Sequence, residues 1–195
     1  EVIAYTGKPI LLSSGLMDLG QIIRTKDFIR NIWRERRIKQ DMAILYCVSG
    51  YPVPNNQANI SAIVKLREKL KTTIGYSDHT LGIDAAILAV SLGARIIEKH
   101  FTIDKNYSLF RDHKISSDPD EFKLMVEKIK ETVKLLGNPD KRLQDCEKDI
   151  VLALRRSIAA ARNMEKGHVI GDSDITWLRP GKGVACGSEE CILGK

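Results

Sequence analysis

Nowhere in the 195 residues do two cysteines stand in a Cys-x-x-Cys pair; Cys47, Cys146, Cys186 and Cys191 are scattered. That spacing favours free thiols, the usual state in a reducing, cytoplasmic setting, over a zinc knuckle or a disulfide framework. No apolar run approaches the roughly 20 residues that cross a bilayer, so no membrane helix is expected. Aromatic residues are few, 6% of the chain, and none interleaves with the densest basic cluster, Arg34-Glu35-Arg36-Arg37 with Lys39. Single-strand nucleic-acid binders need that interleaving. The cluster is therefore read as the solvated end of an amphipathic helix, where basic residues complement the dipole. The net charge of +6 suits anionic small substrates better than nucleic acid. No Gly-x-Gly-x-x-Gly follows the first apolar run, which removes support for a dinucleotide site. An initiating Met is absent too, and Glu1 to Gly7 lacks signal-peptide features and reads as mid-fold.

What is present is a rhythm. Lys8-Pro9-Ile10-Leu11-Leu12 is a short apolar strand ending in Ser13-Ser14-Gly15, small residues that let backbone and hydroxyls approach an anion. A helix follows, with Ile22, Ile23, Phe28, Ile29, Ile32 and Trp33 on or near its buried stripe. Met42 to Val48 is the next strand, and Ser49-Gly50-Tyr51-Pro52-Val53-Pro54 is a proline-stiffened loop that cannot continue it. A helix from about Ile60 to Leu70 groups Ile60, Ile63, Val64 and Leu70. Strands alternating with helices in this way predict a βαβ series with a parallel sheet, its polar residues gathered at the C-terminal strand ends.

The centre of that series is Thr72 to Thr102. Thr73 to Tyr76 is β-prone and breaks into Ser77-Asp78-His79-Thr80; a helix from Ile83 to Leu92 stops at Gly93; Arg95 to Thr102 is again a strand. Alternation places Glu98, His100 and Thr102 on one face with Ile96. A strand between two helices should be buried on both faces, so a carboxylate and an imidazole there need a reason. Neutral His79 and His100 at neighbouring strand ends could grip one divalent metal, with carboxylates holding their second ring nitrogens. The alternative makes His79 a loop residue and His100 a hydrogen-bonded core histidine.

The last helix of the series is signposted by Asp118 as N-cap, Pro119 at N1 and Glu121 at N3, a capping-box arrangement. Phe122, Met125, Ile129, Val133 and Leu136 form its expected stripe, and Gly137 its stop. The expected division is a catalytic unit over 1–137, a polar linker over 138–151 and a small β-rich module over 152–195 that stops unfinished. In the module, Arg155 to Ala160 is read as a strand, Met164 to Ile170 as a turn and a second strand, and Asp172 to Ile175 as a helical turn. Trp177 to Gly183 is read as a glycine-rich loop.

Seven pieces in order resemble one family: Lys8-Pro9 through Ser13-Ser14-Gly15, Cys47 through Tyr51-Pro52, Gly75-Tyr76-Ser77-Asp78-His79-Thr80, Glu98-Lys99-His100-Phe101-Thr102, Asp112-His113 with Ser116, Arg155-Arg156-Ser157, and Arg179-Pro180-Gly181. The chain resembles the sialic acid synthases, including their legionaminate, pseudaminate and spore-coat relatives. The resemblance implies an α/β fold: the C-terminal half, strands five to eight, of a (β/α)₈ TIM barrel, followed by an incomplete β-rich SAF (antifreeze-like) module. It implies condensation of phosphoenolpyruvate with an N-acetylated amino sugar such as N-acetylmannosamine, giving a nine-carbon α-keto acid and phosphate. His79 and His100 would then bind Mn²⁺ or Mg²⁺, and Ser13 and Ser77 would hold phosphoenolpyruvate, with Ser49 and Tyr51 lining the same pocket. Glu98 would handle a proton or orient a water, Asp112 would bond sugar hydroxyls, and Arg179 would reach the sugar in a partner's barrel, making a homodimer. Leu109-Phe110-Arg111 stands where many relatives have Gly-Pro. A half barrel on its own would be inactive, and its open strand edges argue against an isolated monomer. Two other readings stay open: a metal-dependent barrel hydrolase, and a non-catalytic sugar-binding remnant.

Overall fold

The alternation of apolar runs and amphipathic helices is realised as one four-stranded parallel sheet whose spatial order, β1-β2-β3-β4, is the order of the sequence. The strands are β1 (Ile10–Ser13), β2 (Met42–Cys47), β3 (Thr73–Asp78) and β4 (Ile97–Lys99). Helix α1 (Val2–Tyr5) precedes them, and α2 (Leu19–Glu35), α3 (Ala62–Leu70) and α4 (Asp84–Ser91) connect them. Then come α5 (Arg111–Ile115) and α6 (Pro119–Leu136). These coordinates are a computed structural model that describes residues 1–108 and 110–195; Leu109 of the Leu109-Phe110-Arg111 stretch lies outside the described residues. The chain divides into two units, Glu1–Gly137 and Asn138–Lys195. Strand–helix repetition in a single sequential parallel sheet is half of a (β/α)₈ barrel. Among the described residues no helix is long and apolar enough to cross a membrane. Cys47 is buried, Cys146, Cys186 and Cys191 are exposed, and all four are free thiols.

Strand parity decides what goes where. Ile10, Met42, Ile44, Ile74 and Tyr76 point to the helix layer and pack with Ile22, Ile29, Trp33, Ile63, Leu66 and Leu70 in one core. A fully buried aliphatic side chain of this kind contributes about 1.5–3 kcal/mol. The alternate residues Leu11, Ser13, Leu45, Cys47, Gly75, Ser77 and Glu98 share the opposite face, since Ser13 pairs with Leu45, Leu45 with Gly75, Cys47 with Ser77 and Ser77 with Glu98. Gly75 is required there: a Cβ would come within 2.7 Å of the Ile96 carbonyl oxygen. Helix α2 starts from a reciprocal capping box of Asp18 and Gln21 that the motif reading did not include.

Several expectations need correction. Phe28 is half exposed, and Lys26 takes a place on the buried stripe of α2. In α3 the buried set is Ile63, Leu66 and Leu70; Leu66 replaces Ile60 and Val64, because a helix starting at Ala62 turns that face inward. Strand β3 continues through Ser77 and Asp78, whereas β4 is only three residues long and does not include His100 or Thr102. Glu98 is exposed and not buried on both faces, because β4 is the edge strand and its alternate face lies away from the helices. On α6 only Met125 is fully buried, while Val133 and Leu136 are more than half exposed. Asp118 does cap α6 by accepting from the Glu121 N–H, but the Glu121 carboxylate pairs with Lys105 and does not return to the cap.

The second unit contains α7 (Val151–Leu154) and a three-stranded antiparallel sheet of β5 (Ser157–Ala160), β6 (Ile175–Leu178) and β7 (Val184–Ala185), in the order β6-β5-β7. The strand expected near Met164 to Ile170 is absent; Ile175 to Leu178 forms it, because Ile158 and Trp177 pair across the sheet. Its anchor is Asp174, only 2% exposed. Its carboxylate accepts from the Gly171 N–H at 2.9 Å, from His168 Nε2 at 2.7 Å and from Arg162 Nε at 2.6 Å. These donors, the backbone one foremost, hold its carboxyl well below the usual aspartate range. A depressed carboxyl stabilises the fold in full above its unfolded value of about 3.9 and loses that contribution as pH falls toward the lower folded value. Asp174→Asn should therefore lower the unfolding midpoint of this unit at pH 7, and the gap from the parent should shrink in acid below about pH 4. Equal midpoints at pH 7, read by denaturation with Trp177 fluorescence, would remove Asp174 as the anchor.

Candidate functional site at the strand ends

Parallel strands leave their C-terminal ends together, and there the structure gathers most of the residues singled out in the sequence. His79 follows β3 and His100 follows β4; their ring centroids are 5.1 Å apart. The Tyr51 ring, carried by the loop after β2, lies 4.4 Å from the His79 ring and 5.8 Å from the His100 ring. His79 is buried, and its Nδ1 lies 3.0 Å from the Val48 carbonyl oxygen, with Cys47 Sγ at 3.7 Å. A carbonyl only accepts, so Nδ1 carries a proton, and in the neutral ring Nε2 is the nitrogen left to accept. A backbone carbonyl thus does what a carboxylate was expected to do. For His100 the acid is Asp112, at the start of α5, but at 3.9 Å from Nδ1 it is an ion-pair distance and not a hydrogen bond.

The hydroxyls are placed by register. Ser77, opposite Glu98 in the β3–β4 ladder, donates its hydroxyl to Glu98 Oε1 at 2.7 Å. Ser13 ends β1 and is exposed, whereas Ser14 is buried and donates to the Leu45 carbonyl at 2.8 Å. Ser49 faces Gly15 closely, and a Cβ at position 15 would overlap the Ser49 hydroxyl and press Cys47 Sγ at 3.3 Å. Arg179 belongs to the second unit, where it follows β6 and is exposed.

Three contributors escaped the sequence reading. Asp78 and Lys99 form an ion pair at 2.8 Å whose side chains are 0% and 1% exposed. Asp78 also accepts from the Tyr76 hydroxyl at 3.1 Å and from the Thr80 N–H and hydroxyl, both at 2.8 Å, while Lys99 also donates to the Thr80 carbonyl at 2.7 Å. Burial, with the nearby Asp78 charge, pushes the Tyr76 phenol far up. The signal was available, since Asp78 and Lys99 share the parity of the core residues Tyr76 and Ile97. The third contributor is Arg111, whose guanidinium stands 4.8 Å over the Tyr51 ring.

Two imidazoles sharing one ion at about 2.1 Å from each nitrogen place their ring centres about 5 Å apart, which this pair matches. The free Nε2 of His79 and the nearby Asp112 suit a divalent ion that completes its shell with water or substrate oxygen. Among the described residues no group of three or more His, Cys, Asp or Glu side chains is placed to hold a metal ion, so the two imidazoles are the ligands on offer.

A parallel strand–helix sheet with hydroxyls, imidazoles and carboxylates at its C-terminal ends, followed by a small antiparallel module, defines an α/β-barrel protein with a strand-end site. The NeuB family model matches residues 1–141 and the SAF domain model residues 155–190. The chain belongs to the NeuB family, that of the sialic acid synthases. It is 42% identical over its full length to an uncharacterized protein of Methanocaldococcus jannaschii, covering 56% of that protein. It is 36% identical to the N,N'-diacetyllegionaminic acid synthase of Campylobacter jejuni over 99% of this chain and 57% of that one. A solved structure, the N-acetylneuraminic acid synthetase of Leptospira borgpetersenii in complex with citrate, superposes with a TM-score of 0.65 at 34% identity, over 75% of this chain and 49% of that one. The chain thus spans a little over half the length of the curated relatives it matches.

Removing Lys99 would leave the Asp78 carboxylate buried without its cation. Lys99→Met should cost about 3–5 kcal/mol, and Lys99→Met with Asp78→Asn should recover part of it. Denaturant midpoints of the two variants check this; a single variant within about 0.5 kcal/mol of the parent would show the pair to be dispensable.

Proposed function

We propose that the chain supplies one half of the barrel of a synthase that condenses phosphoenolpyruvate with an N-acetylated amino sugar. C3 of the enol bonds to the sugar's aldehyde carbon, one water is consumed, and phosphate leaves with formation of a nine-carbon α-keto acid. What supports this most is the pairing of the His79 and His100 rings, with Asp112 at 3.9 Å from His100 and the Ser77–Glu98 pair on the same strands, in a chain of the NeuB family.

The roles follow from the donors and acceptors present. Ser13, Ser49 and Ser77 bind the anionic groups of phosphoenolpyruvate, the Gly15 turn leaving Ser49 room to do so. Ser77 has one proton and directs it at Glu98, so binding an anion turns that hydroxyl away and frees Glu98 Oε1 to take a proton from the attacking water. Asp112 accepts from sugar hydroxyls, and Tyr51 forms the wall against both imidazoles. His79 and His100 would hold a divalent metal, Mn²⁺ or Mg²⁺, which when bound supplies a Lewis acid for the sugar aldehyde. Val48 fixes the tautomer of His79 for that purpose. In the complete enzyme His79→Ala or His100→Ala should lower metal-dependent phosphate release at least about a hundredfold while leaving the fold intact. Full activity of either variant after exhaustive chelation would refute the metal assignment.

Arg179 completes the acceptor site of a second subunit in a homodimer; its exposure after β6 and the Pro180-Gly181 turn that follows support that role. Arg179→Ala should raise KM for the amino sugar and leave that for phosphoenolpyruvate nearly unchanged. Mixing Arg179→Ala chains with His79→Ala chains then discriminates. In a heterodimer one site carries both defects and the other neither, so about half of each heterodimer's activity should return. Heterodimers that form and remain inactive would show that the arginine does not act across the interface.

A further inference from the structure

A cavity of about 820 Å³ lies at the end of the sheet opposite the imidazoles, lined by Met42 and Thr73, the first residues of β2 and β3, and by Arg95 just before β4. Four cations from three places in the chain line it: Arg30 of α2, Arg67 and Lys71 at the end of α3, and Arg95. Against them stand two carboxylates, Asp41 and Glu68. Among the described residues none of Arg30, Lys71 and Arg95 has an ion-pair partner.

The ordinary explanation for basic residues near a helix C-terminus is the helix dipole. It covers Arg67, which donates to the Leu92 carbonyl at 3.1 Å, but not Arg30 in the body of α2 or Arg95 before a strand. Two backbone features also shape the cavity. Lys71 holds the left-handed conformation (φ +50°), where a lysine costs more than glycine. Gly93 (φ +99°) leaves the space that the Arg67 guanidinium fills. The volume is that of a small-molecule site, roughly 300–1,000 Å³, and a concavity with two carboxylates and no exposed aromatic ring suits neither a nucleic-acid strand nor a membrane surface.

We propose that this cavity binds a phosphorylated small molecule, its phosphoryl oxygens between Arg30, Arg67, Lys71 and Arg95 and its hydroxyls on Asp41 and Glu68. Guanidinium groups bind phosphate through paired, charge-assisted hydrogen bonds. The site is separate from the strand-end cluster and does not depend on the reaction proposed for it.

Calorimetric titration of the full chain with ADP and with inorganic pyrophosphate, at about 150 mM salt to screen diffuse attraction, tests this. At least one probe should bind saturably, once per chain. Arg30→Gln with Arg95→Gln should weaken it at least about tenfold, the loss of one or more charge-assisted hydrogen bonds, while Ser13→Ala leaves it unchanged. Lys71→Gln, at an exposed position, gives the same reading should the double variant melt early. No saturable binding of either probe, or binding that survives the cavity variants and falls with Ser13→Ala, overturns the proposal.

Discussion

The geometry of the strand-end site depends on one buried ion pair. Asp78 and Lys99 are removed from water, a cost that isolated charges could not bear, and the surrounding Tyr76, Thr80 N–H and hydroxyl, and Thr80 carbonyl satisfy what their mutual attraction leaves over. Because Asp78 is paired with Lys99 in the ladder, this contact locks the short β4 onto β3 at the point where both strands end. It also holds the bend that begins at Thr80. His79 directly after β3 and His100 directly after β4, each next to a member of the ion pair, have little freedom left, and their ring centroids lie 5.1 Å apart.

The same register divides labour between the two faces of the sheet. Tyr76, Asp78, Ile97 and Lys99 share one parity and face the helix layer, whereas Ser77 and Glu98 share the other. A one-residue slip would exchange the sets, burying Glu98 among aliphatics and exposing the ion pair. Packing and chemistry are therefore selected by one alternation, and the apolar core is what makes the polar face reproducible.

The two ends of the sheet carry different kinds of charge. At the C-terminal end the polar groups are mixed, short and close to backbone, as suits a site that orients a reaction. At the N-terminal end long arginines and a lysine surround an open cavity with two carboxylates, as suits recognition of an anion by reach. In the second unit the Asp174 network does by hydrogen bonding what the first unit's core does by volume: a small antiparallel sheet with little to bury is held by a carboxylate with three donors.

Parity, turn residues and their order were legible in the chain itself. The parallel series, the helix stop at Gly93, the Asp118 cap and the histidine pair follow from local chemistry, because strand alternation and capping need only near neighbours. Strand lengths, the exposure of Glu98, the place of the second module's second strand at Ile175 to Leu178 and the Asp78–Lys99 pair were decided by tertiary structure. Each depends on a partner 20 or so residues away, and a charged residue in a strand reads as solvent-facing until its counter-ion is known. The same holds for His79: the sequence placed an imidazole at a strand end, but only the fold could bring the Val48 carbonyl to it and free the other nitrogen.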